Sequence, residues 1–436
     1  MNKRKTLILS PILIVNIYIL FTLLVYLLGP WNFSDNYKYF TSIFILVYLT
    51  ALNFGFLTGI YSVNTTKQSK NIITEKFLIN WLKYILVASI LFNVVYIIRN
   101  TGGNFISFMY MYEQAFSGIV NPGEQYFNKF SNTSISSIGG GVFPKIYVIL
   151  SPLFWASTPV SILYWNRLKL TTKLLVVLAI IIEIIKWISI GTNKGLIDLV
   201  IIFVTVILTI YIKKAFDSKL DFRKISSRIM ILIFFGVLAL VYFNSAIGSR
   251  IGMNYNALLY DVPINESSLF FKFLPESWHF FIIAISAYLT QGYYAISMSF
   301  QFSFDSTLGM GSSLFLYENL KGIIGEKIWE NSYVYKLSEI GWDQQVNWHS
   351  LYLWLANDWS YFGVIPIMFL LGLCFSIVWK EFLSNKNLIS LILLPLYVMI
   401  FIYSPANNQV MQTPNLFVSF WMWNFVFLFS KLKKQK

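Results

Sequence analysis

The chain has 436 residues, of which 57% are hydrophobic, 19% aromatic and only 12% charged. Soluble domains carry about a quarter charged residues, so a soluble reading is excluded and a lipid bilayer is the implied surrounding. The net charge of +14 lies in the gaps between apolar runs rather than in a basic patch with interleaved aromatics, which argues against nucleic acid as a partner.

The N-terminal Met1-Asn2-Lys3-Arg4-Lys5 leads into an apolar stretch from Leu7 to Gly29. That stretch is too long for a signal-peptide core and has no small-residue cleavage site, so it reads as a retained first span. A span needs about 20 mostly apolar residues. Further candidates in chain order are 41–62, 78–98, 143–165, 174–190, 195–212, 229–247, 361–379, 388–404 and 415–430, with a weaker one at 279–300. The fold class expected is an all-α polytopic membrane protein of about ten or eleven transmembrane helices. No internal repeat or linker separates domains, so 1–436 is read as one integral membrane domain.

Lys and Arg orient the spans. With the N-terminus inside, the inner segments hold Lys3, Arg4 and Lys5; Lys67, Lys70 and Lys76; Arg167, Lys169 and Lys173; Lys213, Lys214, Lys219, Arg223, Lys224 and Arg228; Lys380 and Lys386; and Lys431, Lys433, Lys434 and Lys436. The same segments hold four acidic residues, Glu75, Asp217, Asp221 and Glu381. Both termini are then cytoplasmic. Parity requires 279–300 to begin and end outside. Its Gln291-Gly292-Tyr293-Tyr294 and Ser297 are too polar for a lipid-facing helix, so it is read as re-entrant or as a helix lying at the outer interface. Three outer segments are long: about 99–142, whose 131–141 is rich in Gly, Ser and Asn and reads as flexible; 248–278; and 301–360, dense in Trp and Tyr.

The two histidines are His279 and His349. His279 reads as structural. His349 stands in Trp342-Asp343-Gln344-Gln345-Val346-Asn347-Trp348-His349-Ser350, ahead of the span at 361. Were this stretch helical, Gln345, Tyr352, Ala356 and Ser360 would share its face, with Asp358 out of phase. Two readings stand for His349: a hydrogen-bonding interfacial residue, or a general base whose ordinary pKa near 6.5 suits neutral pH. Arg250, between Gly248 and Gly252, can grip a phosphate bidentately or snorkel to the interface. The turn Gly191-Thr192-Asn193-Lys194-Gly195 opens a helix whose N–H groups suit an anion, although Lys194 can pair with Asp198. Glu183 and Lys186, at i, i+3 in a span, read as neutralising each other. Arg99 ends the third span on the same side. Asn407, Asn408 and Gln409 suit sugar hydroxyls or form an ordinary polar loop. Cys374, the only cysteine, excludes an internal disulfide and a cysteine cluster, and no zinc spacing, P-loop or nucleophile elbow occurs. No metal and no cofactor are expected.

Three blocks carry a resemblance. The first is Gly292-Tyr293-Tyr294-Ala295-Ile296-Ser297 followed by Gly309-Met310-Gly311-Ser312-Ser313. The second is Gly341-Trp342-Asp343 through Trp348-His349-Ser350-Leu351-Tyr352, then Ala356-Asn357-Asp358-Trp359-Ser360. The third is Tyr403-Ser404-Pro405-Ala406-Asn407-Asn408-Gln409. In this order they resemble the bacterial O-antigen polymerases (Wzy), the oligosaccharide repeat-unit polymerases. A weaker likeness runs to the O-antigen ligases through His349-Ser350 and Gly363, with Lys194 standing where those carry an arginine. The resemblance implies a metal-independent glycosyltransferase of the bacterial inner membrane, with periplasmic loops at 99–142, 248–278 and 301–360, working in lipopolysaccharide biosynthesis. It would join undecaprenyl-diphosphate-linked oligosaccharides, with a chain-length regulator and a flippase as possible partners. It would use His349 and Arg250 in catalysis, Arg250, Lys194, Asn193 and Arg99 on the diphosphate, and Trp348, Tyr352, Asp343, Asn407, Asn408 and Gln409 on the glycan. The alternatives are a lipid-linked glycan transporter or flippase, the ligase itself, and a membrane acyltransferase using His349.

Overall fold

A computed structural model describes residues 3–33, 37–62, 75–103, 107–135, 141–218, 222–252, 254, 258–259, 262–344 and 346–432. Lys67, Lys70, Lys219, Asp221, Gln345, Lys433, Lys434, Lys436 and the stretch 136–140 lie outside the described residues. Helix follows helix among the described residues, the one bridged pair being Trp31 and Ile264. All ten stretches read as spans are helical. Eight helices are long and apolar enough to cross a membrane, judged by length and composition. They are seven of those ten and, in addition, Glu276–Ser299. The other three expected spans differ. Residues 174–190 lie in a helix carrying Lys173, Glu183 and Lys186; 388–404 form an apolar helix of only 16 residues; 415–430 lie in Pro414–Leu432. The protein is a polytopic helical membrane protein. Exposed apolar side chains such as Ile14, Ile17, Phe54, Ile233, Phe234 and Val241 stud these helices, a surface that water would not tolerate on this scale.

The chain packs as two compact units, each discontinuous in sequence: 1–66 with 254–384 and 396–417, and 67–253 with 385–395 and 418–436. In the first unit, α1 (Lys3–Leu28) and α2 (Lys38–Ser62) form a hairpin tied by reciprocal amide bonds between Asn16 and Asn53 at 2.8 and 2.9 Å. In lipid no hydrophobic effect drives helices together, so small residues that let backbones touch take its place. On α2 these are Gly55 and Gly59. On α14 (Leu351–Asn385) they are Gly372 and Ser376. A Cβ at Gly55 would lie 1.9 Å from the Phe369 carbonyl oxygen, and one at Gly372 2.1 Å from that of Leu52.

α14 is not one straight rod. Ser360 sits at φ 58°, ψ 170°, a conformation that breaks the helix into 351–359 and 361–385. A break strips carbonyls of their i+4 donors. Those of Asn357 and Asp358 are taken instead by the loop before α12 (Leu314–Ile324): Thr307 N–H donates to the Asn357 carbonyl at 3.1 Å and Ser306 Oγ to that of Asp358 at 2.9 Å.

α11 (His279–Ser299) is an unbroken helix of 21 residues, so 279–300 does not turn back within itself as a re-entrant segment would. The polarity that argued against a lipid-facing helix is enclosed in protein, with Gln291, Gly292 and Ser297 all buried. Both ends of α11 meet the same end of the α1–α2 hairpin: Trp31 Nε1 donates to the Ile283 carbonyl at 3.2 Å, and the Ser297 hydroxyl bonds Tyr26 at 2.6 Å and Thr41 at 2.7 Å.

The second unit contains α3 (Glu75–Thr101), α6 (Val142–Tyr164), α7 (Leu170–Ser189), α8 (Lys194–Phe216) and α9 (Phe222–Ile251). Its buried charges are satisfied: Lys186 pairs with Glu183 at 2.5 Å and donates to Asn93 Oδ1 at 3.0 Å, while Asn93 Nδ2 and Trp187 Nε1 donate to the two Glu183 oxygens at 2.7 and 2.8 Å. The segment expected to be a long loop at 99–142 instead holds two helices, α4 (Phe108–Val120) and α5 (Pro122–Ile135). Pro122 starts α5, where its missing N–H is not needed.

The helix crossing yields a direct prediction. Gly55→Leu or Gly372→Leu forces the α2 and α14 backbones apart and abolishes the folded monomer in a detergent-extraction and gel-filtration assay, whereas Ser360→Gly, which removes strain of about 1–3 kcal/mol, preserves or raises the melting temperature. A well-folded Gly372→Leu protein would refute this packing.

Candidate functional site

The three sequence blocks meet in the first unit. Asp358 is the centre. Its carboxylate is buried and accepts four hydrogen bonds from one loop: from the Thr307 hydroxyl, from the N–H groups of Gly309 and Gly311 at 2.9 Å each, and from Ser312 N–H at 2.7 Å. Gly309 has φ +90°, a conformation glycine adopts freely. At Gly311 a Cβ would press 2.4 Å from Asn357 Cβ. Asn357 completes the frame: its Nδ2 donates to the Gly311 carbonyl at 2.9 Å, and its Oδ1 accepts from Tyr333 N–H at 2.9 Å. The loop then reaches the third block, with Ser313 Oγ donating to the Met411 carbonyl at 2.6 Å and Asn408 Nδ2 to that of Ser312 at 3.3 Å.

His349 lies at the other end of this assembly. Residues 346–350 are not helical. Helix α14 starts at Leu351 with Ser350 Oγ accepting from Leu353 N–H at 3.2 Å, so the shared helical face expected for His349, Tyr352, Ala356 and Ser360 does not form. The peptide around His349 is pinned from two sides: Leu351 N–H donates to the Ser404 carbonyl at 2.9 Å, and Trp348 N–H to Gln291 Oε1 at 2.9 Å. Gly292 permits this approach, since a Cβ there would lie 2.2 Å from the Pro405 carbonyl oxygen and 2.6 Å from Ser350 N. The imidazole is 1% exposed and meets Trp354 edge-on at 6.0 Å between centroids, while Trp354 Nε1 donates to Asn407 Oδ1 at 2.9 Å. Burial pushes its pKa from 6.5 down to about 3, because a low-dielectric surrounding disfavours the charged form. His349 is therefore neutral at physiological pH, and a much weaker base than its ordinary pKa suggests. Asp358 is engaged with its loop and does not orient it.

Five buried polar atoms of these blocks have no hydrogen-bond partner: Trp342 Nε1, Gln344 Oε1, Asn347 Oδ1, His349 Nε2 and Asn408 Oδ1. Of the other glycan candidates, Trp348 is half-buried against Tyr288. Asp343 is exposed, its carbonyl closing the turn to Val346 and Asn347. Tyr352 is buried, stacked on Tyr48 at 5.1 Å, which keeps its faces from a sugar. Gln409 accepts from the Thr413 hydroxyl at 3.4 Å.

The remaining candidates lie in the second unit, around Gly191. That residue has φ +58°, and a Cβ on it would lie 2.0 Å from the Pro122 carbonyl oxygen, so the turn after α7 is clamped against the start of α5. Arg250, in the last turn of α9, donates from Nη2 to the Gly191 carbonyl and lies over Tyr126, with Cζ 3.8 Å from the ring centre. Its Nε is buried without a partner, as are Asn193 Oδ1 and Ser189 Oγ. Lys194 is ion-paired with Asp198 at 2.6 Å, which reduces its claim on a ligand. Arg99 lies in the last turn of α3.

Comparison of the chain with protein-family models, with curated proteins and with solved structures finds no match. Among the described residues no cluster of three or more His, Cys, Asp or Glu is placed to hold a metal ion.

Sequence reasoning missed the Asp358 carboxylate cage, the unpartnered Trp342, Gln344 and Asn347, and the role of Tyr126. The signal for the first was an Asn-Asp pair beside a helix break together with a glycine-rich loop; for Tyr126 there was none, because it is remote in sequence from Arg250.

Two outcomes follow. Asp358→Ala leaves four donors without an acceptor and lowers stability by about 3 kcal/mol or more, seen as a lower melting temperature in detergent, while Asp358→Asn, which keeps one acceptor oxygen, loses less; equal melting temperatures for wild type and Asp358→Ala would overturn the cage. Between pH 6.5 and about 3 the unfolded chain binds a proton at His349 that the folded chain refuses, so stability falls as pH drops through that window. By pH 5 the loss reaches about 2 kcal/mol, and His349→Gln flattens the melting temperature against pH; an unchanged slope in that variant would refute a buried neutral imidazole.

Proposed function

We propose that this protein is a membrane glycosyltransferase that joins lipid-diphosphate-linked oligosaccharide repeat units, of the kind that builds O-antigen or a related surface polysaccharide. One observation carries the reading. Native proteins leave few buried polar groups unpaired, yet ten such side-chain atoms occur among the described residues, and eight of them fall in two places. Five, His349 Nε2 among them, belong to the first unit, in the second and third of the blocks that resemble the polymerases. Three surround Gly191 in the second unit, beside a guanidinium with no carboxylate partner among the described residues. Polar groups held out of water without partners suit an incoming polar ligand: sugar hydroxyls at the first place, an anion at the second.

The chemistry asks for those two functions. A terminal hydroxyl of the acceptor attacks the anomeric carbon of the donor's first sugar; a new glycosidic C–O bond forms as the C–O bond to the diphosphate breaks, and the diphosphate lipid leaves with the electron pair. Preorganised cations stabilise the leaving charge, a task for Arg250. His349 Nε2 is the acceptor for the hydroxyl proton. Asn347, Asn408, Gln344 and Trp348 orient the sugars. In this reading the basic segments and both termini face the cytoplasm, and α11 lies across the outer end of the α1–α2 hairpin instead of crossing the bilayer.

Purified protein in detergent, given lipid-linked repeat units, lengthens the glycan without nucleotide, metal or ion gradient. His349→Ala and Arg250→Ala each lower chain growth by about 100-fold or more while the protein still inserts and melts cooperatively. Transbilayer movement of the lipid without lengthening would replace this reading with a flippase, transfer of a finished glycan to another lipid with a ligase, and wild-type glycan lengths from His349→Ala would remove that residue from the mechanism.

A further inference from the structure

The second unit carries an apolar surface that the proposed reaction does not use. α4 has 13 residues, about 20 Å at 1.5 Å per residue, too short for a hydrocarbon core of about 30 Å. It nevertheless leaves Phe108, Met109, Tyr112, Phe116, Ile119 and Val120 between 54% and 81% exposed. At about 100° per residue these six fall in one arc of about 120°, with no polar residue among them. Glu113, Ser117, Tyr110 and Gln114 occupy the next sector. Protein covers the third: Met111 packs against Val94, Ile97, Ile98 and Ile182, and a Cβ on Gly118 would lie 2.0 Å from the Ile188 carbonyl oxygen. A helix on a protein surface in water needs two faces, one for the core and one for water. α4 has three, and the third asks for a second apolar surrounding.

Its position says which. The Tyr110 hydroxyl lies 2.9 Å from both the carbonyl and the hydroxyl oxygens of Thr101, where α3 stops. At the other end, Gly118 meets Ile188 in the last turn of α7. α3 and α7 run side by side here, joined through Asn93, Glu183 and Lys186, so α4 lies across their ends and continues neither. Tyr242 of α9 then donates its hydroxyl to the Gly118 carbonyl at 3.1 Å. Val241, the neighbour of Tyr242 in sequence, heads an exposed apolar stripe with Val237 and Phe234 on a helix long and apolar enough to cross a membrane. Lipid that covers Val241 reaches the end of α4.

We propose that α4 is a membrane-interface helix, lying in the plane of the bilayer with its bare face sunk among the lipids of the leaflet in which α3 and α7 end. Phe, Tyr and Met on that face suit the boundary between headgroups and acyl chains, where aromatic side chains concentrate. The polar sector holds Glu113 and no Lys or Arg, so apolar contact drives the insertion and anionic headgroups are not required. The chain passes from α4 through Asn121 into Pro122, whose carbonyl abuts Gly191. The helix that grips the lipid therefore also seats the turn that Arg250 bonds.

The test uses the full-length chain with Cys374→Ala, carrying one new cysteine at a time: Tyr112→Cys, Phe116→Cys or Ile119→Cys on the bare face, Glu113→Cys or Ser117→Cys on the polar one. Each is spin-labelled in phosphatidylcholine vesicles, and collision with oxygen, which partitions into lipid, is compared with collision with a water-soluble nickel chelate. Oxygen is expected to dominate at 112, 116 and 119, at a depth of about 5–10 Å, and nickel at 113 and 117. The contrast between the neighbours 116 and 117 is internal to one helix, so nickel access at all five sites, from a loosened α4 or from one that lies in water, would overturn the proposal. Exclusion of both agents from 112, 116 and 119 would overturn it too, and would mark the face as covered by protein, a second copy of the chain included. The same pattern is expected with phosphatidylglycerol in the vesicles; a pattern seen only there would refute insertion by apolar contact.

Discussion

A buried carboxylate without a cation is among the most costly groups a folded chain can hold, and Asp358 is tolerated because one loop surrounds it with four donors. Its oxygens take up the Thr307 hydroxyl and the N–H groups of Gly309, Gly311 and Ser312, and the break at Ser360 hands the same loop two helix carbonyls. Loop and helix are thus mutually dependent. Without the carboxylate the loop N–H groups are unpaired, and without the loop the broken helix end is. The third block joins through Ser313, Asn408 and Gln412, which bond across the same loop.

That rigidity positions His349. The imidazole belongs to a short irregular peptide with no helix of its own to orient it, and its place is set by backbone bonds to Ser404 and Gln291 and by the Gly292 contact. A frame so fully hydrogen-bonded makes the unpaired atoms beside it conspicuous. Saturation around Asp358 and vacancy of partners around His349 are complementary in the proposed reading: the first would supply the order that the second needs to present polar groups to a ligand without rearrangement.

The second unit repeats the logic with charge. Buried Lys186 and Glu183 neutralise each other and are saturated by Asn93 and Trp187, so they have nothing to offer a ligand. Arg250 and Lys129 lie 3.8 and 4.1 Å from the centre of the Tyr126 ring, on helices brought close by glycines at 123 and 191 where no Cβ would fit.

Composition and apolar run length alone determined that the chain lives in lipid and is helical, because a bilayer leaves backbone polar groups no other partners. All ten apolar stretches are helices, and the blocks containing Gly309, His349, Asp358 and Asn408 stand out in the sequence. Tertiary structure decided what depends on distance between remote residues: that Asp358 serves its loop and not His349, that Lys194 is engaged by Asp198, that two helices, Phe108–Val120 and Pro122–Ile135, lie within 99–142, that α11 meets one end of the hairpin twice. Burial of His349, which lowers its proton affinity, and the meeting of Lys129 with Arg250 were invisible in sequence for the same reason, since desolvation and Coulomb energy depend on neighbours that the order of residues does not name.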